Sequence, residues 1–239
     1  MTCPADIYPV DSDFLKKFNT RVYQDRIPAT GGIELTRQCN LRCAHCYLDE
    51  KTRKQKDFRQ VSGAKWLDVI DQVTDAGCLY LYFTGGESML HPGFPEIYTH
   101  ARKNGLMVVV FTNATCISEK ILETFEAYPP QHIDISIYGA TREIYEAVTQ
   151  VKGSFEKCMQ GIEKLQARGF VVKLKTILMR LNQHELADME LLAQNKGTTF
   201  RFDPMIFPRL NGDKTPIQYR LSPANVVEQE FFSDKLAAE

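Results

Sequence analysis

Long apolar runs are missing from this chain. No segment approaches the roughly 20 consecutive apolar residues that a membrane-crossing helix needs, and the amino terminus lacks the basic-then-apolar pattern of a signal peptide. A cytoplasmic protein with no membrane partner is the expectation. An excess of charge of one sign is missing as well, since 29 Lys and Arg stand against 30 Asp and Glu. The dense basic run Lys51-Thr52-Arg53-Lys54-Gln55-Lys56 reads as a solvated loop, so nucleic acid is not the expected partner. Cysteines number seven, an odd count, and none follows Cys158. Three of them, Cys39, Cys43 and Cys46, sit too close together for a disulfide framework, which favours metal-ligating thiols in a reducing compartment.

With 239 residues, 44% of them apolar, the chain can bury a substantial core as one large domain or two small ones. Its patterning favours one. From Ile33 onward a short apolar run is followed repeatedly by a helix-period stretch. The runs expected as strands are Ile33 to Thr36, Leu79 to Thr84, Met107 to Thr112, His132 to Tyr138, Val171 to Leu178 and Thr199 to Met205. Helices are expected around 62–76, 94–104, 118–127, 154–168 and 184–195. Because each parallel neighbour needs a crossover, this order predicts an α/β fold, a partial (β/α)6 barrel of the TIM type with a parallel sheet and outer helices. Residues 1–30 read as an arm containing a short helix, 31–223 as the barrel, and 224–239 as the start of a C-terminal extension.

The chemistry gathers in Arg37-Gln38-Cys39-Asn40-Leu41-Arg42-Cys43-Ala44-His45-Cys46-Tyr47. A cubane iron–sulfur cluster used only for electron transfer is closed by four cysteines, and a structural zinc site by four ligands. Three thiolates leave one iron open to a substrate or cofactor, and Tyr47 offers a flat purine a stacking surface. The zinc alternative would be completed by His45 or a remote ligand.

This array, followed by Thr84-Gly85-Gly86-Glu87 at the end of the next expected strand, resembles the radical S-adenosylmethionine (SAM) superfamily. The likeness runs from about residue 28 to about residue 223. The stretches IDISIYGATREIYEAVTQVKGSF and FDPMIFPRLNGDK resemble the branch whose barrel is followed by a SPASM or twitch domain, many members of which modify ribosomally made peptides. The resemblance implies a [4Fe-4S] cluster on Cys39, Cys43 and Cys46. It implies a SAM site that includes Tyr47, Gly85, Gly86 and Glu87, with Glu87 accepting from the amino group. It places Asn113 and Ser136 near the ribose and carboxylate, and Lys175, Thr176 and Leu178 beside the ribose and adenine. An electron from a ferredoxin or flavodoxin would split SAM into methionine and a 5′-deoxyadenosyl radical that takes a hydrogen atom from substrate. On this reading no catalytic His or carboxylate pair is needed beyond the cofactor ligands.

Substrate contacts are expected from inward strand residues. Alternation with Ser136 puts Asp134 and Tyr138 on the inner face, and Arg201 and Asp203 follow on the last strand, unless those two simply pair with each other. Cys3, Cys78 and Cys158 read as inert buried thiols, while Cys116 stands just past a strand end where it could face the cavity. Trp66, Phe94, Phe111, Phe125 and Phe155 read as core. Three functions stay open at this point: a peptide-modifying radical SAM enzyme, a radical SAM enzyme acting on a small molecule or in a cofactor pathway, and a non-catalytic iron–sulfur module for electron transfer or partner binding. The Gly-Gly-Glu strip weighs against the last, because an electron carrier has no use for an amino acid site. In the branch it resembles, a cysteine-bearing domain would follow the barrel; either this chain is the core barrel alone or it acts without auxiliary clusters.

Overall fold

The computed structural model describes residues 12–54 and 61–231. Cys3, Lys56, the first part of the expected arm and residues 232–239 of the expected extension lie outside the described residues. Six strands follow in chain order: β1 (Thr30–Thr36), β2 (Tyr80–Gly85), β3 (Met107–Thr112), β4 (His132–Ser136), β5 (Val172–Ile177) and β6 (Thr199–Asp203). Each pairs in parallel with the next, in the spatial order β1-β2-β3-β4-β5-β6. Helices α1 (Ser12–Gln24), α2 (Glu50–Lys54), α3 (Gly63–Asp75), α4 (Phe94–Lys103), α5 (Glu119–Ala127), α6 (Arg142–Thr149), α7 (Ser154–Ala167), α8 (Leu186–Asn195) and α9 (Pro223–Phe231) complete the described elements. The fold is the partial (β/α)6 barrel that the sequence predicts.

Strand alternation explains how the sheet takes its place. On β3, Val108, Val110 and Thr112 are buried while Met107, Val109 and Phe111 are half-buried on the other face. On β5, Val172, Leu174 and Thr176 are buried and Lys173, Lys175 and Ile177 are not. The buried set packs under the helices, and the charged and half-buried set faces inward, as period-two geometry requires. Behind the sheet Phe83, Phe94, Tyr98, Phe125 and Phe170 form a chain of rings with centroids 5.0 to 6.5 Å apart. Edge-to-face and offset contacts of this kind hold helices to a sheet, and the one polar atom among these rings, the Tyr98 hydroxyl, donates to Tyr128 O at 2.5 Å.

Several expectations need correcting. β1 begins at Thr30 and takes in Gly31 and Gly32, because their backbone pairs with Leu81 and Tyr82 of β2. β4, β5 and β6 stop one to two residues short of the expected ends, where the chain turns to line a cavity. Helix α6 was not expected: Arg142 to Thr149 is rich in β-branched and aromatic residues, which read poorly as helix in isolation. Thr141 Oγ1 caps it by accepting from Ile144 N, and burial of Val148 and of Tyr145, whose ring packs on Tyr138 and on Phe155 of α7, decides the conformation.

Candidate active site

The loop after β1 carries Cys39, Cys43 and Cys46 and is held by the end of α6, by Arg53 of α2 and, at its root, by the backbone of Gly86 and Glu87. Arg42 N donates to Thr149 O at 3.0 Å and Ala44 N to Val148 O at 2.9 Å, so the free carbonyls at the end of α6 anchor the loop. Arg53 Nη1 donates to Leu41 O at 3.1 Å. Arg53 is 8% exposed, so the expectation of a solvated basic run fails at this residue. Nothing in the local sequence distinguishes it from its basic neighbours; only the packing of α2 against the loop does.

Among the described residues, no three His, Cys, Asp or Glu side chains are grouped so as to hold a single metal ion. The three cysteines instead line one cavity of about 310 Å³ at the carboxyl ends of the strands. Burial pushes the Cys39 thiol up to about 12 and raises Cys43 and Cys46 as well. The Arg53 guanidinium acts in the opposite direction on all three. These are soft donors whose protons a bound metal centre must displace.

Gly85 and Gly86 line the same cavity, but they are glycine for a different reason than close approach to a ligand. A Cβ on Gly86 would lie 2.2 Å from Gln38 O, and one on Gly85, at φ +128, 2.3 Å from Thr36 O. Gly86 N donates to Thr36 O and Glu87 N to Gln38 O, each at 2.8 Å. The strip is therefore laid directly against the root of the cysteine loop. Glu87 is 1% exposed and is absent from the cavity wall. Its carboxylate accepts from Thr112 Oγ1 and Asn113 N, both at 2.8 Å, and from Met89 N. Burial raises it to about 6 against those bonds, so a cation nearby would be welcome.

Asn113 continues this network into the cysteine loop. Its Nδ2 donates to Asn40 Oδ1 at 3.0 Å and lies 3.9 Å from Cys39 Sγ. Ser136, Tyr138, Lys175 and Asp203 line the cavity as well. Thr176 and Leu178 fall elsewhere: Thr176 Oγ1 accepts from Asn182 Nδ2, and Leu178 is fully buried in the core outside the cavity. Tyr47 is on the wall with its hydroxyl given to Glu34 Oε1 at 2.7 Å. His45 shares that wall, its ring 4.9 Å from Tyr138 and its Nδ1 without a partner. Desolvation lowers it to about 4, so the imidazole is neutral. The sequence gives the aromatic role to Tyr47 and offers His45 only as a ligand of the zinc alternative, although an imidazole directly before the third cysteine is also a signal for a ring on this wall.

Arg201 and Asp203 do not pair with each other. Arg201 Nη2 donates to Asp134 Oδ2 at 2.6 Å, and Asp203 Oδ1 accepts from Met205 N at 2.8 Å. Phe111, expected in the core, stands on the cavity wall. Cys116 lies 3.7 Å from Thr115 Oγ1 and does not line the cavity.

The three-cysteine loop and the Gly-Gly strip share one cavity at the top of a six-stranded parallel barrel. The family model described as the radical SAM superfamily matches residues 33–193. The chain belongs to that superfamily. Among curated relatives, it is 31% identical over 172 residues to the antilisterial bacteriocin subtilosin biosynthesis protein AlbA of Bacillus subtilis (strain 168), covering 72% of this chain and 38% of that protein. It is 30% identical over 192 residues to the AdoMet-dependent heme synthase of Methanosarcina barkeri, covering 80% and 54%. The chain thus spans about half or less of the length of these relatives. Among solved structures, Streptococcus suis SuiB bound to S-adenosylmethionine superposes with a TM-score of 0.73 at 13% identity, over 95% of this chain and 52% of that one. That is a likeness of fold. No described helix is long and apolar enough to cross a membrane.

Proposed function

We propose that this chain is the catalytic core of a radical SAM enzyme acting on a peptide. The observation that carries the reading is the convergence of Cys39, Cys43, Cys46, Gly85 and Gly86 on one cavity. Three soft thiols on one wall, a strip of backbone beside them and a largely apolar remainder fit a [4Fe-4S] cluster with a small zwitterionic ligand next to it. Cys39, Cys43 and Cys46 would hold the cluster, and the edge formed by Gly85, Gly86 and Asn113, backed by Glu87, would receive the amino acid end of SAM. When bound, the pair supplies reductive cleavage of SAM to methionine and a 5′-deoxyadenosyl radical.

The protein's own part is positioning and exclusion of water. His45 and Tyr138 close the cavity beside the cysteines as neutral rings. Arg53 supplies a buried positive charge behind the loop, and Asn113 ties Cys39 to the Glu87 network. A peptide substrate is supported by the relative named for subtilosin biosynthesis and by the superposition on SuiB bound to the precursor peptide SuiA, with a TM-score of 0.72. The relatives named as heme synthases favour the second reading, a radical SAM enzyme acting on a small molecule. A ferredoxin or flavodoxin is the proposed electron donor and the cytoplasm the proposed location. Residues 31–223 form the proposed barrel, with 224–239 as the start of a further region.

The test is anaerobic reconstitution with iron and sulfide, addition of SAM and dithionite, and chromatographic measurement of 5′-deoxyadenosine. Formation that is lost in Cys43→Ala supports the reading. A protein that binds only zinc, or assembles a four-iron cluster without cleaving SAM, refutes it.

A further inference from the structure

Beside the cysteine cavity lies a second one, of about 390 Å³, bounded by β2 to β6 side chains. The two share Phe111, Ser136, Lys175, Ile177 and Asp203 on their walls, whereas Tyr82, Thr176, Arg201 and Phe202 line the second alone. Its charges are unevenly matched. Asp134, 2% exposed, is taken by Arg201 at 2.6 Å, with His132 Nε2 3.4 Å from its other oxygen. Asp203 is turned to its own loop through Met205 N. The ammonium of Lys175 is drawn through space by the Asp134 and Asp203 carboxylates, against the repulsion of Arg201, but among the described residues it makes no hydrogen bond or ion pair with either.

Lys175 is held in place instead by aromatic rings. Its Nζ stands 3.2 Å from the centre of the Phe111 ring, and that ring stacks on Tyr82 at 5.3 Å with planes 16° apart. A cation over an aromatic face keeps its charge and a fixed position, yet regains only part of the hydration it gives up. Desolvation lowers Lys175 to about 8, so it remains an ammonium at neutral pH. The site thus offers a fixed, incompletely solvated cation, a second cation at the rim in Arg201, and an apolar slot between them.

We propose that the second cavity is a substrate subsite for a carboxylate carried on an apolar or flat group, with the carboxylate on Lys175 Nζ and the apolar part against Tyr82, Phe111 and Phe202. A peptide supplies such a group through an acidic side chain or its C-terminus, and a small acid supplies it directly. The proposal rests on the radical SAM reading in one respect only, that the neighbouring cysteine cavity is where the hydrogen atom leaves. A substrate anchored at Lys175 holds the carbons next to its carboxylate on the wall shared with that cavity.

The test uses the full chain, anaerobically reconstituted, and reads the rate at which acetic anhydride acetylates Lys175 by mass spectrometry of peptides. The exposed Lys120 serves as the internal control. The probe is phenylacetate, compared with its neutral counterpart phenylacetamide and with SAM. An opposite charge in contact raises an amine's pKa by about one unit or more, so phenylacetate is expected to slow acetylation of Lys175 about tenfold and leave Lys120 unchanged. Equal protection by phenylacetamide, or none by phenylacetate, overturns the proposal. Full protection by SAM alone, with nothing added by phenylacetate, also overturns it and assigns the ammonium to the cofactor. Formation of 5′-deoxyadenosine is measured on the same preparation. If none forms while phenylacetate still protects Lys175, the subsite stands and the radical SAM reading fails.

Discussion

The contact between the Gly-Gly strip and the cysteine loop makes a steric prediction. A Cβ at Gly86 would meet Gln38 O at 2.2 Å, Gln38 C at 2.6 Å and Arg37 O at 2.8 Å, where ordinary contact begins near 3.4 Å. All three are backbone atoms of the segment leading into Cys39, so relief requires that segment to move by about 1 Å. Overpacking against backbone belongs at the upper end of its usual cost, about 3 kcal/mol, which lowers the melting temperature by roughly 6–12 °C in a domain of this size. Because the displaced backbone carries Cys39, Gly86→Ala is expected to lose iron as well as stability. Gly105→Ala separates the two effects. Gly105 has φ +84 and nothing within 4 Å of its Cβ position, so alanine there pays only for backbone conformation. That cost is about 1 kcal/mol, roughly 2–4 °C, with iron content unchanged. The assay is iron per chain after anaerobic reconstitution together with the thermal midpoint. A Gly86→Ala protein with wild-type iron and midpoint, or a Gly105→Ala protein that loses as much iron, refutes the reasoning.

Other outcomes follow from single residues. Glu185, 6% exposed, accepts from Ala140 N, Thr141 N and Thr141 Oγ1, so Glu185→Ala frees the loop before α6 and is expected to cost about 3 kcal/mol in urea unfolding; a loss under about 1 kcal/mol contradicts this. Lys175 has a folded pKa near 8, below the usual lysine value of 10.5, so the folded state holds its proton less tightly than the unfolded chain. Its unfavourable contribution is complete below pH 8 and is relieved as pH rises toward 10.5. The wild type should therefore gain stability on Lys175→Met across that window, and parallel pH curves would contradict the assignment. Cys158 is fully buried and its thiol is raised to about 12, so iodoacetamide at pH 8 should modify it only as fast as the native protein opens; faster labelling shows that the α7 packing is wrong.

How much was legible in advance depended on the range of the forces involved. Strand alternation, turn residues and the spacing Cys39, Cys43, Cys46 are local, and they alone specified six βα units, the order of the sheet's elements and a three-thiol loop. The family motif at Gly85-Gly86-Glu87 was legible too, but its physical reason was not. The glycines answer to the backbone of residues 36–38, some 50 positions away, and Glu87 bonds to the end of β3. Arg53 and α6 show the same limit. One looks like any residue of a basic run and the other like a poor helix, and each is decided by tertiary contacts, Arg53 with the cysteine loop and α6 with that loop and with the rings of Tyr138 and Phe155. The inner face carried the largest surprises. Composition along β4, β5 and β6 shows that charges are present, and period two shows which side they face. Which charge meets which is a matter of register between strands, since Ser136 stands opposite Lys175 and Lys175 opposite Arg201. The sequence by itself determined the barrel and the thiol loop because both follow from neighbours along the chain. Only the tertiary structure paired Arg201 with Asp134 and left Lys175 on the ring of Phe111, because those contacts join strands that the sequence keeps far apart.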